Sequence, residues 1–401
     1  MTPLEFRRSI PFVNDHVYLD SAAVSPQPEP VVETLVHYAR HCPLNYGVGA
    51  FRAARDLKAQ VDNARREVAR FIGAGSAAEI AFTKNTTEAI NLVARGLNFE
   101  PGDEIIVSSV DHQSNILPWL WLAETRGVVL KRVDPDETGR ISPAAVRNLL
   151  TPRTRLVALT HVSNIVGTIQ PVEDIAELLR SHQALFLVDA AQSGGRIPIN
   201  VQEIGCDFMT FCGRKAIGGP QGTGFLWARP ERMAELQPVL IGSRAAWIED
   251  EGSWSFAPDP QRLEAGVLNT SGVLGLGTAV SLLHQIGLET VHRHNQRLAE
   301  KMVEGLRSIP GVTVHCSGGL AYQAGIVSCT VQGRASTAIA SWLDAQADVL
   351  VASGTLGSAL LLKRLGVGEE GVVRASVHYY NTDEDVDVYL DALREAVARE
   401  L

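Results

Sequence analysis

The sequence predicts an α/β chain: a mostly parallel, seven-stranded sheet flanked by helices, followed by a smaller α+β unit. Three observations lead there. Seven short apolar runs recur at 80–82, 104–108, 128–133, 156–160, 185–189, 208–212 and 224–227. Most are continuous rather than alternating, the pattern of strands buried on both faces. Amphipathic stretches such as 143–150 and 172–181 lie between many of them, and strand–helix alternation implies a parallel sheet covered on both sides. Finally, the 401 residues exceed the roughly 250–300 at which one hydrophobic core stops growing.

Past residue 270 the rhythm changes. The stretch 273–309 reads as one or two long helices, with short strands near 325–331, a helix near 337–345 and a charged last helix over 383–401. We expect an N-terminal segment, 1–20, packed on the small domain, a large domain over 21–280 and a small C-terminal domain over 281–401. A net charge of −9 argues against a nucleic-acid or anionic-membrane partner, because either needs a basic face. No long apolar span marks a transmembrane helix. The first 20 residues lack a signal peptide's apolar stretch, so the expected location is cytoplasmic. Five cysteines without a CxxC pair point to neither a disulfide framework nor a zinc site.

Ligands of parallel α/β sheets sit at the carboxyl ends of the strands, and four segments there carry chemistry. Asn85-Thr86-Thr87-Glu88 opens an apolar helix; it resembles a capping box, and it offers backbone N–H groups and two hydroxyls to an anion. His112, in Asp111-His112-Gln113, follows the second run and is either a surface side chain or a group that stacks on a flat ring. Asp189 ends the apolar Leu185-Phe186-Leu187-Val188. A carboxylate there needs a cation or several donors; a helix cap, a metal or a protonated heterocycle would serve, and the lack of a His or Cys cluster disfavours metal. Lys215 follows Cys212-Gly213-Arg214 and precedes four glycines. It is either a solvated lysine on a loop or an amine whose pKa is lowered by burial and by Arg214.

Together these segments resemble the class V aminotransferase group of fold-type I pyridoxal 5′-phosphate (PLP) enzymes, closest to group II cysteine desulfurases and selenocysteine lyases. The matching stretches include Tyr18-Leu19-Asp20-Ser21-Ala22-Ala23, Thr86-Thr87-Glu88, Thr160-His161-Val162-Ser163-Asn164, Asp189-Ala190-Ala191-Gln192, Arg214-Lys215, Glu264-Ala265-Gly266 and Arg374-Ala375-Ser376. The resemblance implies that Lys215 is the Schiff-base lysine and proton shuttle, that Asp189 pairs with the pyridinium nitrogen and that Gln192 bonds the ring hydroxyl. It implies His112 on the ring face, Thr86, Thr87 and Arg214 at the phosphate, and Asn164 with Arg374 at the substrate carboxylate. It also implies a homodimer and an amino-acid substrate.

The chain departs from the desulfurase pattern. The loop expected to bear the catalytic cysteine reads Val351-Ala352-Ser353-Gly354-Thr355-Leu356-Gly357-Ser358. It has no thiol, and Ala352 stands where an arginine is common. Val267 replaces a phosphate-binding threonine, and Arg214 a histidine. A desulfurase needs a thiolate to hold persulfide. The expected activity is therefore a C–S lyase that cleaves a cysteine S-conjugate by β-elimination, with a small loop leaving room for a bulky substituent. Transamination, epimerisation, decarboxylation-linked oxidative deamination, ordinary desulfuration (Cys212 being the nearest thiol to Lys215) and a non-catalytic scaffold are the alternatives. Tyr46, Phe51, Trp119, Trp121, Trp247 and Trp254, partly in the expected loops 44–51 and 242–254, either line a pocket or pack.

Overall fold

The computed structural model describes residues 1–47, 49–316 and 319–399. Val48, in the expected 44–51 loop, and Glu400 and Leu401, at the end of the expected last helix, lie outside the described residues. Each apolar run forms a strand of one sheet: β1 (Ile80–Thr83), β2 (Glu104–Ser108), β3 (Val129–Val133), β4 (Thr154–Thr160), β5 (Leu185–Asp189), β6 (Phe208–Cys212) and β7 (Gly224–Ala228). Their order is β1-β7-β6-β5-β4-β2-β3. Only β7 runs against its neighbours β1 and β6; the other pairings are parallel. The α/β class and the mostly parallel seven-stranded sheet are thus borne out.

Continuous apolar strands are explained by two cores, one on each face. Along β4, Val157 and Leu159 join one core while Leu156 and Ala158 join the other; β5 does the same with Phe186 and Val188 against Leu185 and Leu187. Each of the buried Val, Leu and Phe side chains contributes about 1.5–3 kcal/mol, and Ala158 less. β3 differs from expectation. It is the sheet edge, bonded to β2 alone, and Val129 is 46% exposed. Lys131 and Arg132 occupy this strand, as an edge tolerates.

The stretch 273–309 is two helices, Thr270–Ile286 and Leu288–Arg307, bent by 78° across Gly287. Gly287 sits at φ +86°, a conformation glycine adopts at little cost. The second helix covers a four-stranded antiparallel sheet: β8 (Val312–His315), β9 (Ile326–Val331), β10 (Ala352–Gly354) and β11 (Val372–Ser376), ordered β8-β9-β11-β10. A third core fills this unit, with Leu298, Val303, Val327, Val373, Tyr389 and Leu393. The last helix, Asp383–Ala398, begins with a capping box between Thr382 and Asp385. The N-terminal Val17–Tyr18 pairs in parallel with Val349–Leu350, and Leu19 enters the third core. Among the described residues no single helix is long and apolar enough to cross a membrane.

Candidate active site

The carboxyl ends of β2, β4, β5 and β6 surround a cavity of about 370 Å³, roofed by the loop after β10 and by β11. Thr86, Thr87, His112, Asn164, Asp189, Gln192, Arg214, Lys215 and Arg374 all line it. The sheet register explains part of this convergence: Thr160 of β4 lies beside Asp189 of β5, which lies beside Thr210 of β6.

The cavity floor is short of partners. Among the described residues the Asp189 carboxylate accepts one hydrogen bond, from Ala191 N–H at 2.9 Å. Burial holds its pKa above the ordinary carboxylate range, with the Lys215 amine pulling the other way. The Thr86 Oγ1 and Gln192 Oε1 atoms are buried with no partner among the described residues. Burial lowers the Lys215 ammonium, Arg214 and Arg374 lower it further, and Cys212 and Asp189 oppose them. Burial likewise pushes His112 down to about 4, so its imidazole is neutral at pH 7. Its Nδ1 accepts from Ser114 N–H at 3.1 Å, which places the ring proton on Nε2.

The anion end is half of what the spacing suggested. Asn85 Oδ1 caps the helix Thr86–Gly96 by accepting from Glu88 N–H. The Glu88 carboxylate turns back to Lys84 N–H instead of Asn85, so the capping box is incomplete. Thr87 Oγ1 donates to Ser114 Oγ at 2.9 Å, leaving Thr86 as the hydroxyl without a partner. Arg214 Nη1 donates to Cys212 Sγ at 3.1 Å.

The roof is the reverse of the floor. Asn164 Nδ2 donates to Leu356 O at 3.0 Å and its Oδ1 accepts from Ser358 Oγ at 2.9 Å. Arg374 Nη2 pairs with Asp20 Oδ1 at 2.7 Å, and Nη1 donates to Asn164 O at 3.2 Å. Gln113 N–H donates to Gly357 O at 2.8 Å. Within the 353–358 loop, a Cβ on Gly354 would meet open space, whereas the next residues close on the cavity. Leu356 forms cavity wall, at φ +51°, and a Cβ on Gly357 would lie 2.3 Å from His112 Nε2.

The aromatic candidates do not line this cavity. Trp119 is buried in a core and bonds Asn115, and Tyr46 is buried under the Arg244 guanidinium. Phe51, Trp121, Trp247 and Trp254 are 42–54% exposed. The expected 242–254 loop is largely a hairpin, Ala246–Asp250 with Ser253–Phe256.

Sequence reasoning missed three charged residues around the site. Asp111 is fully buried and gathers the Ser108 N–H and hydroxyl, Asn115 Nδ2 and Thr160 N–H. It thereby ties the ends of β2 and β4 beside His112, and burial raises its pKa to about 7. Asp20 holds Arg374, and Arg196, four residues after Gln192, is fully buried. The signal for Asp111 was its three-residue spacing from Ser108, a common local turn pattern; the other two are joined to their partners only by the fold.

A family model for class-V aminotransferases matches residues 17–389. The chain belongs to that family. A probable cysteine desulfurase of Methanothermobacter thermautotrophicus is 39% identical over 98% of this chain and 97% of its own length. Among solved structures, the apo cysteine desulfurase of Thermococcus onnurineus NA1 superposes with a TM-score of 0.95 at 35% identity, covering 99% and 98% of the two chains. The cystine C–S lyase C-DES shares the fold, with a TM-score of 0.85 at 24% identity over 96% and 99%. The resemblance read from the motifs is therefore borne out, and this class-V chain is a PLP-dependent enzyme. The cavity fits the cofactor on its own chemistry. Asp189 has no direct ion pair among the described residues and could pair with a pyridinium, the unpartnered Thr86 hydroxyl and the Arg214 guanidinium could hold a phosphate, and the unpartnered Gln192 Oε1 could accept from a ring hydroxyl.

Proposed function

We propose that this enzyme is a C–S lyase: it cleaves the Cβ–S bond of an S-substituted cysteine by β-elimination, releasing a thiol and an aminoacrylate that hydrolyses to pyruvate and ammonia. PLP, when bound, supplies the electron sink for negative charge at Cα. Lys215 holds the cofactor and moves the Cα proton, a task for an amine with a lowered pKa. Asp189 keeps the ring nitrogen protonated, neutral His112 covers the ring face, and Gln192 bonds the ring hydroxyl. Thr86, Thr87 and Arg214 hold the phosphate. Arg374 and the second Nδ2 hydrogen of Asn164 take the substrate carboxylate.

The observation that carries this reading is the roof loop. It has no thiol, and the Gly357 position has no space for a side chain beside His112. A persulfide relay through that loop has no acceptor. A second reading, cysteine desulfuration, is favoured by Cys212, which is among the residues lining the cavity. It is disfavoured by the engagement of that sulfur with Arg214. The enzyme works as a homodimer: Leu240, Ile241, Trp247, Ile248 and Trp254 are 47–84% exposed beside Val267 at 66%, a concentration of apolar surface that marks protein interfaces.

The test is product analysis. PLP-loaded enzyme is mixed with cysteine, cystine, alanine and a panel of cysteine S-conjugates. Pyruvate with free thiol in equal amounts supports the lyase. Alanine from cysteine, with persulfide on Cys212, would replace it with the desulfurase reading. Sedimentation in the same buffer checks the dimer.

A further inference from the structure

Arg196 lies on the loop that begins at Asp189 and carries Gln192. It is fully buried, and no ion pair reaches it among the described residues. Its fork ends on other segments: Nη1 donates to Val377 O at 2.7 Å, directly after the strand bearing Arg374, and Nη2 donates to Ser21 Oγ at 2.7 Å. Asp20, itself paired with Arg374, lies close enough to attract Arg196 but makes no direct ion pair with it among the described residues. A buried guanidinium without a direct ion pair is costly, and an apolar side chain of similar volume is often no worse for stability. Global stability is therefore a poor account of Arg196.

Ser21 sits in a strap, residues 20–25, that touches three of the residues assigned above. Asp20 pairs with Arg374 at 2.7 Å, Ala22 O accepts from Gln192 Nε2 at 2.9 Å, and Ser25 N–H donates to Arg214 O at 2.8 Å. The single Ser21 hydroxyl proton lies between two acceptors, Ser376 O and Val377 O, at 2.9 and 3.1 Å from Oγ. Arg196 thus grips the strap between its contacts to the ring-binding loop and its contacts to the carboxylate-binding strand.

We propose that Arg196 is a positioning residue. It locks the strap to β11 and so fixes Arg374 relative to Gln192 and Arg214. The proposal rests on the roles given to those three residues under the function proposed above. A displacement of about 1 Å at such a distance from the chemistry can cost roughly 100-fold in rate.

The experiment compares wild type, Arg196→Met and Arg196→Lys. In Arg196→Met, the amides of the strap exchange hydrogen at least about tenfold faster, because a charge-assisted bond to Ser21 is lost. PLP binds more weakly in titrations of the apoenzyme, and KM rises more than kcat falls. The melting temperature stays level or rises. Arg196→Lys, which keeps the charge but loses the fork, falls between the two. Strap exchange within about twofold of wild type would overturn the proposal. So would a loosened strap with unchanged PLP affinity and KM. Exchange is read without turnover, so neither result touches the choice between β-elimination and desulfuration. Should Arg196→Met not fold, Arg196→Lys carries the test by itself, since it keeps the buried charge, loses the fork and leaves the bonds of Ser21 to β11 in place.

Discussion

The floor and the roof of the cavity are built on opposite principles. On the floor, polar groups at the ends of strands are buried and short of partners: Asp189 with one donor, Thr86 Oγ1 and Gln192 Oε1 with none among the described residues. On the roof, most polar groups satisfy one another: Asn164 with Leu356 and Ser358, Arg374 with Asp20 and Asn164, Gln113 with Gly357; Arg374 Nε is the exception, buried with no partner among the described residues. Buried polar groups without partners cost free energy. A fold retains them where a ligand completes them. On the function proposed above, the floor would receive one fixed group, while the more fully paired roof would set which substrates enter. The difference predicts how variants behave: floor changes should abolish activity with little loss of stability, and roof changes should alter selectivity.

The largest effect belongs to Lys215→Ala. Removing both the cofactor's covalent anchor and the proton carrier should lower turnover by at least about 10³-fold, measured as pyruvate release, and should remove the visible absorbance of the loaded enzyme. A variant that stayed active would break the floor assignment at its centre. Asp189→Ala comes next, with a loss of roughly 10²–10³-fold and weaker PLP binding, since a fixed charge in a dry site is removed. Its apoenzyme should melt no lower than wild type, because the lost carboxylate is one that burial disfavours. Lost stability without lost activity would turn Asp189 into a structural residue.

Gly357→Ala tests the roof. The added methyl meets the His112 imidazole, and φ +72° strains any L side chain. We expect a melting-temperature drop of a few degrees, for a cost of about 1–2 kcal/mol. The ratio of activities on large and small S-conjugates should change more than activity on the smallest. An equal fall on every substrate would mean that the loop supports the floor and does not select.

The two regions also differ in how far the sequence reveals them. The strands were legible because two cores bury them on both faces, and the floor residues because they lie at or within a few residues of the end of an apolar run, as Asp189 does at the end of 185–189. Periodicity carries no direction, so the reversal of β7 was invisible, and the edge position of β3 emerged only from its pairing. The roof was read for what it lacks, a cysteine. What it contains is long-range: Asn164 meets Ser358 across 194 residues, and Arg374 meets Asp20 across 354. Spacing rules describe neighbours in the chain, and no such rule reaches these pairs.

The smallest expected effect concerns His161, which lies under the floor directly after β4. Its N–H donates to Asp189 O, its Nδ1 has no partner among the described residues, and burial alone pushes its pKa from 6.5 to about 4. The unfolded chain therefore binds this proton more readily than the folded one between those values. The associated stability is present above pH 6.5 and is lost as pH falls toward 4, by on the order of 3 kcal/mol at the limit. Asp111, whose pKa is raised to about 7, works in the opposite sense, so the wild-type curve sums both. His161→Gln removes one contribution. Its urea midpoint should decline less than that of wild type between pH 7 and pH 4.5, while the Asp111 contribution is common to both. Parallel curves would mean that His161 is hydrated in solution, and the region beneath Asp189 would then be wet and not the dry support that the floor requires.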